Sequence, residues 1–144
     1  MINWENLRIL SKMESAEDIK TFEEKINELA DNKDPTVLSE MMGLFDDNCQ
    51  HPEIMYALVH ALENFPDDIY VKSLLFEIEN GIMKYPSWLV ILIYGILNNP
   101  NCYRIFKENM GLAKKESLLR LFEIIEQESP QHEKQLNELK DALQ

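Results

Sequence analysis

The stretch Pro86-Ser87-Trp88-Leu89-Val90-Ile91-Leu92-Ile93-Tyr94-Gly95-Ile96-Leu97-Asn98-Asn99-Pro100 decides the class of fold. Nearly every position between the two prolines is apolar, and no charge interrupts the chain from Tyr85 to Tyr103. The apolar segment, Trp88 to Leu97, is far shorter than the roughly 20 residues a membrane-spanning helix needs. A helix that is apolar all round and does not span a membrane must be enclosed by other protein. Pro86 suits its first turn, where a fixed φ and a missing N–H do no harm. Asn98 and Asn99 supply its C-terminal turn and the cap of the next helix. Trp88 belongs to this core, with an indole N–H that needs an acceptor.

The same punctuation recurs outward from this segment. Pro35, Pro52, Pro66 and Pro100 each stand where a helix can begin, with Asp34 and Asn99 as N-caps and Ser15–Asp18 as a capping-box-like pair. Apolar spacing predicts helices at about 3–12, 16–31, 35–44, 52–64, 67–82, 86–97, 101–109, 114–128 and 131–143, and no alternating strand pattern competes. The stripe of 16–31 is narrow (Ile19, Phe22, Ile26, Leu29), and that of the last helix is narrower (Leu136, Leu139, Leu143). One-sided helices belong at the periphery. The expected architecture is therefore all-α, a short stack of antiparallel helix pairs of HEAT-like type with about nine helices. Proline-headed helices at 35, 66 and 100 lie 31 and 34 residues apart, close to the period of helical-hairpin repeats. A single domain over 1–144 is expected, with capping helices in 1–31, central pairs in 35–128 and a capping helix in 131–144. An irregular helical bundle is the alternative on the same helix count.

Composition agrees. With 144 residues, 45% hydrophobic and 28% charged, the chain is globular, and its four glycines and abundant Leu, Ile, Glu and Lys favour helix. Cys49 and Cys102 show neither metal-type nor redox-type spacing and are expected to be buried, reduced thiols, with a single bridge between them as the alternative. Met41–Met42 reads as core filler. The start, MINWENLRIL, lacks the basic-then-apolar pattern of a signal peptide. The expectation is a soluble cytoplasmic protein with no cofactor.

The charge is concentrated. From Asp34 to Val71, 38 residues carry no Lys or Arg but eight carboxylates: Asp34, Glu40, Asp46, Asp47, Glu53, Glu63, Asp67 and Asp68. Residues 1–72 hold 16 acidic and 6 basic side chains, a net of −10; residues 73–144 hold 10 and 8, a net of −2. Such a field repels nucleic acid and anionic membrane and draws in a basic partner, although a solvated face that only aids solubility has the same composition. Lys114, Lys115 and Arg120 form no basic stripe, so neither nucleic acid nor membrane is an expected partner.

The segment HPEIMYALVHALENF (residues 51–65) carries the candidate site. Ile54, Leu58, Ala61, Leu62 and Phe65 define a core face, while Glu53, Tyr56, His60 and Glu63, at spacings of three, four and three, form a second, polar stripe. Asp46 and Asp47 precede this helix and Asp67 and Asp68 follow it, so the two clusters mark opposite ends of an edge about 20 Å long. Adjacent aspartates are ordinarily solvated turn residues, and the 45–51 connection lacks the alternating ligands and central Gly of a calcium loop. A catalytic reading has Glu63 orient His60 as a general base, but no activated nucleophile or glycine-rich loop accompanies them. His51, His60 and His132 form no zinc pattern.

Leu44-Phe45-Asp46-Asp47, Glu53-Ile54-Met55-Tyr56, Leu58-Val59-His60-Ala61-Leu62-Glu63-Asn64-Phe65, Tyr70-Val71, Pro86-Ser87-Trp88 and Ile96-Leu97-Asn98 together resemble the immunity protein 30 family of bacterial polymorphic and contact-dependent toxin systems. The resemblance covers roughly residues 35–110; the first 30 residues and the last helix add nothing to it. It implies a small cytoplasmic all-helical protein that binds and neutralises a cognate toxin, through the toxin's C-terminal domain. It places His60, Glu63, Tyr70, Trp88 and Asn98 in the family pattern, without separating fold from interface.

The expected function is toxin immunity through an acidic helical face directed at a basic, nuclease-type toxin. The toxin-binding residues are Asp46, Asp47, Glu53, Tyr56, His60, Glu63, Asp67 and Asp68, with no catalytic or metal-binding residue. The runner-up is a non-catalytic helical-repeat adaptor for another protein partner; an enzyme built on His60 and Glu63 is a distant third. The free chain is expected to be a monomer, with a dimer through Leu136, Leu139 and Leu143 as the alternative.

Overall fold

The computed structural model describes residues 2–144, and among them there are nine α-helices and no strand. The helices are α1 (Trp4–Leu10), α2 (Ala16–Leu29), α3 (Pro35–Met42), α4 (Pro52–Glu63), α5 (Asp67–Lys84), α6 (Pro86–Leu97), α7 (Pro100–Glu108), α8 (Lys115–Glu128) and α9 (Glu133–Ala142). The all-α expectation holds, with boundaries displaced by a residue or two. Pro66 stands one residue outside α5, where its carbonyl accepts the Tyr70 N–H at 3.0 Å. Residues Pro130–His132 form a 3-10 turn, which delays α9 to Glu133. The chain divides into two compact units, the first ending at Tyr70 and the second starting at Val71, within α5.

The first unit is built on α2 and α4, which pack together, with α1 against α2 and α3 against α4. The starts of α1, α2 and α3 follow from side-chain oxygens satisfying free N–H groups. Ser15 Oγ accepts from the Asp18 N–H at 3.0 Å, and Asp34 Oδ1 from the Thr36 N–H at 2.9 Å. Phe22 and Ile26 of α2, Leu38, Met41 and Met42 of α3, and Met55, Leu58 and Leu62 of α4 are wholly buried. The core face of α4 departs from the expected one: Met55 and Val59 join it, while Ile54 is only half-buried. The cause is that α4 meets two neighbours, α2 and α3, so the buried arc is wider than a single-contact stripe. Arg8 of α1 and Glu40 of α3 form an ion pair at 2.9 Å. Asn64 closes the end of α4 onto α2 by donating to the Ala30 carbonyl at 2.6 Å.

In the second unit α6 packs against α7 and α8, and α8 against α9. Trp88, Leu89, Val90, Leu92, Ile93, Ile96 and Leu97 of α6 are all buried, as its uniform apolarity requires. Asn99 Oδ1 caps α7 by accepting the Cys102 N–H at 3.1 Å. Gly81 allows α5 to approach Tyr85 and Leu89; a Cβ there would lie 3.0 Å from the Tyr85 ring and 3.2 Å from Leu89. Leu136 and Leu139 are wholly buried and Leu143 half-buried, so the stripe of the last helix is spent within its own unit. Polar ties hold α9 in place. Tyr103 Oη donates to Glu138 Oε2 at 2.6 Å, Gln135 Nε2 donates to the Leu97 carbonyl at 2.8 Å, and the Tyr94 ring stacks on His132 at 5.2 Å. Burial and the Glu138 carboxylate both push the Tyr103 phenol well above its ordinary pKa, so it stays a donor.

Urea denaturation checks this hierarchy. Ile93→Ala, which truncates the middle of α6, is expected to cost about 2–5 kcal/mol, and Asn99→Ala, which removes a cap, about 1 kcal/mol.

Candidate functional site

On α4, Glu53, Tyr56, His60 and Glu63 are all exposed, and they lie on the side opposite the buried Met55–Leu58–Leu62 face. The four side chains share one solvent-facing stripe, as their spacing requires. Tyr56 is 40% exposed, and its ring centroid lies 6.5 Å from that of His60, with the planes tilted by 36°. His60 Nδ1 is 3.6 Å from Glu63 Oε1, and His51 Nδ1 is 3.4 Å from Glu53 Oε1. The first distance is an electrostatic contact rather than a hydrogen bond. Both imidazole–carboxylate pairs stand in water, where such contacts are worth little to stability. The His51–Glu53 pair at the start of α4 had no distinct signal in the sequence beyond its i, i+2 spacing.

Asp46 and Asp47 occupy the connection from α3 to α4, where the sequence predicts solvated turn residues. It is held at several points. Leu44 and Phe45 are buried beneath it. The Asp46 carbonyl accepts the Cys49 N–H at 3.1 Å, and Asp46 Oδ1 accepts the Asn48 N–H at 2.9 Å. Cys49 Sγ sits 3.7 Å from Met13 Sδ in the α1–α2 connection, and the His51 N–H points at the same sulfur at 3.4 Å. Cys49 is therefore half-buried rather than buried, whereas Cys102 is buried; both are free thiols. Burial raises the Cys49 pKa most; the His51 N–H lowers it, and the charges of Asp46 and Glu53 raise it further. The thiol thus registers the negative field that these two carboxylates produce together.

Asp67 and Asp68 fall in the first turn of α5. There they meet the positive end of the helix dipole, a structural reason for their presence that stands beside any interface role. The remaining carboxylates of the lysine-free stretch serve the fold: Asp34 caps α3 and Glu40 pairs with Arg8. Of the residues in the expected pattern outside this surface, Tyr70 and Trp88 are buried and Asn98 ends α6. Their positions accord with packing and helix termination. Among the described residues, no three His, Cys, Asp or Glu side chains converge in a way that could hold a metal ion, and no helix is long and apolar enough to cross a membrane.

A family described as Immunity protein 30 matches residues 9–106, which includes α2, a segment that adds nothing to the resemblance read from the motifs. No curated protein and no solved structure matches the chain.

The field at Cys49 can be measured. Because Asp46 and Glu53 raise the thiol pKa, Asp46→Asn with Glu53→Gln is expected to lower it. Iodoacetamide labelling of Cys49 at pH 8 should then accelerate. An unchanged rate would mean that the two carboxylates do not act on the thiol.

Proposed function

We propose that this chain, which belongs to the immunity protein 30 family, binds and neutralises a cognate antibacterial toxin through the outer side of α4 and the acidic turns at its two ends. The observation that carries this reading is the division of labour within the lysine-free stretch. Asp34 caps α3 and Glu40 pairs with Arg8, whereas Glu53 and Glu63 are exposed beside Tyr56 and His60 on one helix. A helix, or a turn pinned from below, already holds the backbone in place, so the ordering on binding is confined to the side chains. Tyr56 offers the amphipathic ring typical of interface anchors, with charges around it for steering and register.

The partner that fits is a basic toxin domain of nuclease type, the C-terminal domain of a polymorphic or contact-dependent toxin. Carboxylates spaced along a helix can take the place of substrate phosphates in a basic groove, and the surrounding negative field speeds capture. On this reading the chain acts in the cytoplasm as a stoichiometric inhibitor with no catalytic residue of its own. Its proline-headed helix pairs are a HEAT-like repeat within one functional domain over 1–144. An adaptor for a different protein would use the same surface, and the identity of the partner separates the two.

The test is growth rescue followed by binding. The C-terminal domain of a cognate toxin is induced with and without this chain, and the complex is then purified. Rescue with a stable complex is expected, and association should slow about tenfold or more between 50 mM and 500 mM salt. Neutralising Asp46, Asp47, Glu53, Glu63, Asp67 and Asp68 to Asn or Gln retains cap and turn acceptors. It is expected to weaken binding at least tenfold while helicity stays intact. Rescue with binding unaffected by the six changes would leave immunity standing and overturn the acidic face; no rescue and no complex would favour the adaptor.

A further inference from the structure

Two imidazole–carboxylate pairs stand at the two ends of the α4 stripe. His51 Nδ1 lies 3.4 Å from Glu53 Oε1, and His60 Nδ1 lies 3.6 Å from Glu63 Oε1. The histidine side chains are 38% and 75% exposed and their carboxylate partners 67% and 41%, so a partner can reach all four groups. Histidine is the side chain whose charge ordinarily changes between about pH 5 and 8. With neutral imidazoles each pair carries the −1 of its glutamate, and the two pairs together carry −2. With both imidazoles protonated and both glutamates still ionised, each pair sums to zero.

We propose that protonation of His51 and His60 switches the acidic stripe off, so that the chain holds a basic partner at neutral pH and releases it as the medium acidifies. The proposal rests on the reading of α4 as the surface that meets a basic toxin. The geometry sets the direction. An imidazolium beside each carboxylate competes for the oxygens that a partner's Lys or Arg would otherwise take. It also sets a positive charge where the partner brings its own. Binding therefore favours the neutral rings, and by linkage a complex formed in mild acid releases protons.

The surroundings leave this role to the two histidines. No Lys or Arg occurs from Asp34 to Val71, and His51 and His60 are the only histidines in that stretch. The connection before α4 adds Asp46, whose charge acts with that of Glu53 on the thiol that accepts the His51 N–H. On α4 itself the Tyr56 ring lies 6.5 Å from that of His60. At the far end, the turn after α2 brings Asp31 to 3.5 Å from Asn64, and α5 begins with Asp67 and Asp68. On the helices packed against α4, Glu40 of α3 is paired with Arg8, and Lys25 of α2 lines a recess with Asn3 and Leu7.

A lysine decapeptide serves as a probe independent of any toxin. The full chain is titrated with it at low salt and followed by amide NMR shifts of residues 51–63, at pH 7.5 and pH 5.5. The dissociation constant is expected to rise about tenfold at the lower pH, with circular dichroism the same at both. His51→Gln with His60→Gln removes both protonation sites and should cut that ratio to about twofold or less, whatever the affinity at pH 7.5. A wild-type ratio near one, or a tenfold ratio that survives in the double variant, would overturn the proposal. The same two pH values are then applied to a cognate toxin domain. A complex at pH 7.5 whose acid sensitivity is equal in wild type and double variant would overturn the switch and leave toxin binding standing. A histidine-dependent ratio for the decapeptide with no toxin complex at pH 7.5 would uphold the switch and overturn the toxin reading.

Discussion

Helix α4 must bury one side between α2 and α3 while its other side stays in water, and the first unit depends on that constraint. Met55, Leu58 and Leu62 are wholly enclosed, which fixes the rotation of the helix about its axis. Once the rotation is fixed, Glu53, Tyr56, His60 and Glu63 have no choice but to face outward. The backbone that carries the polar stripe is therefore anchored by the core beneath it. Changing the packing of Leu58 would displace the stripe, whereas changing Glu53 or His60 should leave the packing untouched.

The turns at the ends of α4 inherit their positions from the same anchoring. Phe45 and Leu44 sink beneath the Asp46–Asp47 turn, and Cys49 rests on Met13, so the connection that carries the carboxylates is tied to the core at several points. Asn64 holds the opposite end of α4 to the Ala30 carbonyl. Preorganisation of this kind lets modest electrostatic contacts count toward affinity, because little conformational entropy is lost when a partner arrives. The second unit is organised differently. Its apolar helix α6 is enclosed, and α9 is held by the directed ties from Tyr103 and Gln135 rather than by apolar area alone.

Much of this was legible in the sequence because the signals are local. Pro35, Pro52, Pro86 and Pro100 each open a helix, and Asp34, Asn99 and Ser15 cap theirs, since capping depends on residues two or three positions apart. The stripe of α4 was equally legible, being a matter of helical period. What sequence could not supply depends on neighbours. The width of the α4 core, including Met55 and Val59, follows from a second packing partner that periodicity does not reveal. The half-buried state of Cys49 follows from its contact with Met13, 36 residues away. Exposure of Phe76 and Met83 on α5 was hidden for the same reason: an apolar residue on a long helix reads as core until the structure shows it open to solvent.

The outward-facing acidic stripe on a chain of the immunity protein 30 family underlies the central proposal, that a toxin is met by α4 and its two flanking turns. Hydrogen–deuterium exchange of the chain, free and bound to its cognate toxin domain, tests it most directly. Slowed exchange is expected in peptides covering residues 45–68, with those covering α8 and α9 unchanged. Protection confined to the second unit, with 45–68 exchanging as in the free chain, would contradict it.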